Sequence, residues 1–162
     1  MSEPLHKWYS RPALDMFADR QTVLRGEIEL RRFVRLRDLL YTDDGTVSAS
    51  LKFVERHAGW VGVELEYQTQ VQLVCQRCLE PFPYALHAHL GIGLVDSEAM
   101  EQYLPEAYEP TVLEESRLMP AQLIEDELII ALPLVPRHEH RAECEFAERE
   151  RNVSEDGVPV DS

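Results

Sequence analysis

The feature that most restricts what this chain can fold into is a run of apolar/polar alternations between residues 47 and 94. Val47, Ala49, Leu51 and Phe53 alternate with polar neighbours, and after the Ala58-Gly59 break so do Val61, Val63, Leu65 and Tyr67. Val71, Leu73 and Cys75 follow, and then Tyr84, Leu86, Ala88, Leu90, Ile92 and Leu94 form the longest alternation in the chain. A period of two places alternate side chains on opposite faces of a strand, so each run reads as a half-buried strand. Runs that follow one another this closely read as an antiparallel meander with one face inward and one face wet. An earlier run, Leu24, Gly26, Ile28 and Leu30, adds a strand near the N-terminus, and Asp43-Asp44-Gly45 supplies a turn signal.

Helical signals flank these strands. Pro12 opens a short segment with Leu14 and Phe17 at i, i+3, and Phe33, Leu36, Leu39 and Leu40 take helical spacing. Asp96-Ser97 caps a short helix over 98–103, and Pro105 and Pro110 bracket a rigid extended piece. Pro120 starts a helix at an N1-like position, with Leu123, Ile124 and Leu128 on its apolar side, Glu125, Asp126 and Glu127 as its wet face, and Pro133 and Pro136 as its stop. The expectation is an α+β fold: an antiparallel meander sheet, barrel-like if it curls far enough, with a few short helices. Residues 1–147 read as a single domain and 148–162, polar and without periodicity, as a flexible acidic tail.

Charge excludes some functions. The net formal charge is −14, and 13 of the excess negative charges fall within residues 96–162. A field of that sign repels phosphate at long range, which disfavours nonspecific nucleic-acid binding and suits either a solvated face or docking onto something basic. One stripe runs against the trend, Arg20, Arg25, Arg31, Arg32, Arg35 and Arg37, with Glu27, Glu29 and Asp38 interleaved. These arginines can pair with the acidic C-terminal half, or Arg31, Arg32 and Arg35 can contact RNA phosphate. The longest apolar stretch, 128–135, contains Pro133 and is too short for a membrane span. The first ten residues lack the apolar core of a secretory signal, and the chain reads as cytoplasmic.

Three cysteines in a reducing compartment are thiols, metal ligands or both. Cys75-Gln76-Arg77-Cys78 is the one spacing with direct chemical meaning, since two thiolates on a tight turn between strands can grip a tetrahedral Zn²⁺. His138, His140 and Cys144 are candidates for the other two ligands, and Cys75, Cys78, Cys144 and His138 would make a Cys3His set. The same pair also reads as two unmetallated thiols or as a redox pair. No nucleophile elbow, Walker loop or dinucleotide fingerprint occurs, and consecutive helix positions such as Glu125, Asp126 and Glu127 point in different directions, so a non-enzyme is expected.

Three stretches carry a family resemblance. Residues 71–82, centred on Cys75-Gln76-Arg77-Cys78, resemble the C-x-R-C hairpin of the YceD family. The run Leu104-Pro105-Glu106-Ala107-Tyr108-Glu109-Pro110 and the acidic helix with its double-proline exit, 124–136, resemble that family's second and third markers in its proteobacterial branch. His138 and Cys144 fall where that branch keeps a His and a Cys, although longer members carry several cysteines after the double proline. The resemblance implies a cytoplasmic ribosome-biogenesis factor that supports synthesis, processing or stability of large-subunit 23S ribosomal RNA, with no catalytic activity attached. On that reading ribosomal proteins or large-subunit assembly factors are the expected partners, engaged through Glu125, Asp126, Glu127, Glu106 and Tyr108. A zinc-binding structural adaptor, a direct binder of the 23S rRNA precursor and an rRNA-processing enzyme stand as alternatives.

Overall fold

A computed structural model describes residues 3–140, 142 and 144. The elements, in chain order, are strand β1 (Tyr9–Ser10), helix α1 (Arg11–Arg20), strand β2 (Val23–Glu29), helix α2 (Val34–Arg37), strands β3 (Thr46–His57), β4 (Trp60–Val74), β5 (Pro81–Val95), β6 (Tyr108–Val112) and β7 (Arg117–Leu118), and helix α3 (Pro120–Ala131). Short 3₁₀ turns occupy Glu3–His6, Leu30–Arg32 and Glu98–Tyr103.

The expected alternations produce a five-stranded sheet in the order β2-β3-β4-β5-β6, with β1 and β7 pairing apart from it. It is open, with β2 and β6 as edges, so the barrel-like expectation is corrected. The first four strands are antiparallel, whereas β6 lies parallel to β5 with Gly91 opposite Tyr108 and Val95 opposite Val112. The expected runs 61–67 and 71–75 are one strand: β4 continues through Thr69 and Gln70, and all fifteen of its residues pair with β5.

Val47, Leu51 and Phe53 of β3, Val63, Leu65 and Leu73 of β4, and Ile92 and Leu94 of β5 turn to one face and are fully or almost fully buried. Leu14 and Ala18 of α1, Leu36 of α2, and Leu123, Ile124 and Leu128 of α3 join the same core. Ser48, Lys52, Glu66, Gln68, His87 and His89 lie on the opposite, exposed face. The two histidines are therefore ordinary surface residues of that face.

Helix boundaries follow local chemistry. Ser10 caps α1 by accepting from the Ala13 amide, and Gln21 ends it in the left-handed conformation at φ 51°. Arg11 ties the start of α1 to the sheet, bonding to Asp15, to Asp96 and to the His57 carbonyl. Pro120 occupies the first turn of α3, and Leu132, extended because Pro133 follows it, ends the helix. The helix expected over 33–40 is only the single turn α2, and 98–103 is 3₁₀ rather than α.

The expected wet face of α3 also needs correction. Glu125 is 7% exposed, and its Oε2 accepts from the backbone amides of Arg35 and Leu36 at 2.9 and 3.1 Å. Phe33, at the N-cap of α2, supplies no side-chain acceptor, so a carboxylate ninety residues away caps that helix instead. Arg35 closes the arrangement by donating to Glu125 and Asp126. Replacing Glu125 by Ala leaves two amides without their acceptor and Arg35 with Asp126 alone, and a loss of about 2–3 kcal/mol is expected. Asp126→Ala removes only an exposed ion pair, for which less than about 1 kcal/mol is expected. Urea denaturation of both variants measures the contrast.

Candidate metal centre and surrounding surfaces

The β4–β5 hairpin ends in a six-residue loop, 75–80, that starts with Cys75. The Cys75 amide donates to the Glu80 carbonyl at 2.9 Å, and the Leu79 amide donates to the Cys75 carbonyl at 2.7 Å. Leu79 is held at φ 62°, left-handed, with its side chain 66% exposed. This bend turns Cys75 and Cys78 inward on the same side, where both are buried.

The double-proline exit from α3 returns the chain to that loop. The Gln76 amide donates to the Pro136 carbonyl at 2.8 Å, and Arg77 Nη2 donates to the His138 carbonyl at 2.5 Å. The His138 amide donates to Cys75 Sγ at 3.3 Å, and its ring lies 5.0 Å from that of Phe82. His138, only 9% exposed, and Cys144 complete an interior group with Cys75 and Cys78. Cys75 Sγ is 3.4 Å from Cys144 Sγ, and His138 Nδ1 is 3.2 Å from Cys144 Sγ and 3.5 Å from Cys78 Sγ.

The four donor atoms lie within 4.8 Å of one another. A Zn²⁺ with about 2.3 Å bonds to sulfur and about 2.0–2.1 Å bonds to nitrogen needs donor separations of about 3.5–3.8 Å, so only small movements separate this set from a tetrahedron. The local field favours a thiolate ligand. Burial pushes the Cys75 thiol up, but the amides of Cys78, His138 and Arg77 and the Cys144 thiol outweigh it and bring Cys75 down to about 5. Burial and the bonds to Cys75 and Cys78 push Cys144 up to about 11. Three thiols and an imidazole, buried together with amides aimed at one sulfur, fit a borderline-soft divalent cation. His140 is exposed and lies outside the group.

The other candidate residues are scattered. Arg31 is bonded to Glu29, and Arg35 is bonded to the acidic side chains of α3, which is the pairing with the C-terminal half that the sequence allowed for. Arg32 lies with Arg31 on the 3₁₀ turn and is exposed. Tyr108 donates to Glu55 Oε2 at 2.6 Å, and His57 shares the other oxygen of that carboxylate. Gly62 and Gly91 leave room for Tyr108 and the start of β6: a Cβ on Gly62 would meet the Tyr108 ring and hydroxyl at 3.0 Å, and one on Gly91 would meet the Ala107 carbonyl oxygen at 2.5 Å. Glu106 is exposed. Glu127 has its carboxyl pushed above the usual range, first by burial and then by Glu109 and Asp126.

A family model described as large ribosomal RNA subunit accumulation protein YceD matches residues 63–158. A Haemophilus influenzae protein carrying that description is 40% identical over 87 residues, which are 52% of this chain and 48% of that relative. The alignment thus spans about half of each protein. No solved structure matches the chain.

The left-handed backbone at Leu79 costs a side-chain-bearing residue about 1–2 kcal/mol, and glycine gives back about 0.5–1 kcal/mol of that through its chain entropy. With little packing to lose, Leu79→Gly is expected to raise stability by up to about 1 kcal/mol in denaturant titrations. Glu127 gives a pH-dependent test. Its folded pKa lies above the unfolded 4.5, so the native state holds that proton more tightly and loses stability as pH rises through the interval between the two values. Glu127→Gln is expected to be more stable than the parent at pH 7 and to lose that advantage below pH 4.5.

Proposed function

The chain belongs to the YceD family, and we propose that it supports the accumulation of large-subunit 23S ribosomal RNA in the cytoplasm, by binding components of the assembling subunit rather than by breaking bonds. The observation that carries this reading is the family match over 63–158, which takes in the hairpin tip, β6, α3 and all four members of the buried Cys/His group. The charge distribution supports binding to basic components, because the net −14 is concentrated after residue 95 and is opposite in sign to ribosomal proteins and to assembly factors of similar charge. Contact with the rRNA precursor itself would fall to the arginine stripe.

We further propose that Cys75, Cys78, His138 and Cys144 hold one Zn²⁺. When bound, the metal supplies structure: four protein ligands fill a tetrahedron and leave no open position. The chain's own groups prepare the site. The loop amides favour a thiolate at Cys75, and Arg77 and the Gln76 amide hold the 136–138 backbone against the hairpin. The effect would be to fasten the chain beyond α3 to the tip of β4–β5.

Two measurements test the reading together. Elemental analysis of protein purified without chelators is expected to give about one zinc per chain, falling toward none in Cys75→Ser/Cys78→Ser. In a strain lacking the protein, the parent chain is expected to restore the ratio of 23S to 16S rRNA, and the double variant to restore it less. Full restoration by the metal-free variant would remove zinc from the function, and no restoration by the parent chain would remove the rRNA role.

A further inference from the structure

The free edge of β6 and the side of α3 leave a groove between them. Pro110 and Thr111 line the strand side, and Leu123, Ile129 and Ile130 line the helix side, so apolar side chains alternate with charged ones along its walls. Ile130 is 74% exposed, a large aliphatic side chain left in water. Glu109 stands on the strand wall and Glu127 on the helix wall. Among the described residues the one cation lining the groove, Arg35, already donates to Glu125 and Asp126.

Among the described residues Glu109 and Glu127 have no cationic partner within ion-pair distance, and each raises the other's electrostatic energy. The same two carboxylates, after burial, hold the Tyr67 phenol above its ordinary range. Like charges retained beside apolar side chains oppose folding, so a partner's cation entering between them would relieve the repulsion, and an aliphatic neighbour of that cation would cover Ile130. The edge itself offers little to a pairing strand. The Leu113 amide points to the Val95 carbonyl, which puts Pro110 on the outward row of β6, where it has no N–H to give.

We propose that this groove takes an extended basic segment of a partner protein, in which arginine or lysine alternates with aliphatic residues and is held by side chains rather than by strand addition. The basic groups would sit between Glu109 and Glu127, and the aliphatic ones against Ile129 and Ile130. A phosphate backbone meets the wrong charge here, and a second copy of a chain at −14 approaches against repulsion. The inference rests on the reading that the protein acts by binding, and adds where the binding occurs and what it selects.

The test uses full-length protein and a fluorescein-labelled octapeptide alternating arginine with leucine, followed by anisotropy. The peptide is expected to bind, with affinity falling at least tenfold in Glu109→Arg/Glu127→Arg and at least threefold in Ile130→Ser. Reversal of two acids on the 3₁₀ turn, Glu98→Arg/Glu101→Arg, makes the net charge less negative by the same amount and is expected to change affinity less than twofold. Equal losses in the two double variants would reduce the effect to overall charge and overturn the proposal, as would no binding by the parent.

A single-stranded RNA oligonucleotide that binds the parent and is lost in the groove variant would assign the groove to RNA, and self-association lost in that variant would assign it to a second copy. Peptide binding at least tenfold tighter in Arg149→Gln/Arg151→Gln would assign it to the chain's own C-terminal segment. Each of these outcomes overturns the proposal. If Glu109→Arg/Glu127→Arg does not fold, Ile130→Ser, on an exposed position, carries the test alone. A groove variant that loses the peptide yet restores 23S rRNA fully would sink the groove's role in that function while leaving the rRNA reading intact. Failure of the parent to restore the rRNA, with peptide binding preserved, would do the reverse.

Discussion

Fifteen consecutive residue pairs hold β4 against β5, from Trp60 opposite Val95 to Val74 opposite Pro81. Their register is fixed by burial, since a slip of one position would carry Val63, Leu65 and Leu73 to the wet face and Glu64 and Glu66 into the core. Both ends of the ladder hold a feature that depends on that register. At one end the strands stop at the loop that turns Cys75 and Cys78 inward. Toward the other, Gly62 and Gly91, diagonal to each other across the two strands, leave the space that Tyr108 occupies. The buried Cys/His group and the seat of β6 are thus two consequences of one hydrophobic pattern.

The C-terminal half is joined to this ladder through polar chemistry as well as packing. Leu123, Ile124 and Leu128 bury α3, while Glu125 reaches across to cap α2. A carboxylate in that position satisfies two amides that helix α2, only one turn long, could not satisfy for itself. Part of the chain's negative charge is therefore internal and already matched. Glu127 and Glu109 differ, because their field falls on each other and on Tyr67. The distinction between spent and unspent acid, more than the total of −14, separates scaffold from surface in this molecule.

Much of this was legible beforehand. The period of two marked β2 to β5, Pro120 and Pro133 bounded α3, and the C-x-x-C with His138 and Cys144 named the four residues that converge. The failures have particular causes. Thr69 and Gln70 looked like a break because local polarity suggested one, yet Thr69 turns inward and donates to the Thr46 carbonyl. Glu125 looked wet because two acids follow it, and no local pattern reveals amides at positions 35 and 36. Strand β6 hid inside a proline-bracketed segment, and its parallel pairing rests on glycines seventeen and more residues upstream. The expected tail, 148–162, lies outside the described residues. The C-x-R-C and double-proline markers carried the family resemblance, and the match over 63–158 agrees with it.

The ligand group draws its first two members from one loop and its last from a position far along the chain. Synthesis runs from the N-terminus, so Cys75 and Cys78 emerge while Cys144 is still unmade. At about 5–20 residues per second that delay is on the order of 3–13 s, much longer than the microseconds a hairpin needs to form. Were the group to hold Zn²⁺ as proposed, the nascent hairpin would for that interval offer half of the ligands, and a captured ion would have its remaining positions filled by water or by a borrowed donor. Completion of the site would then report that α3 and its exit have been made and have docked, which would turn a static cluster into a timing mark in the birth of the protein.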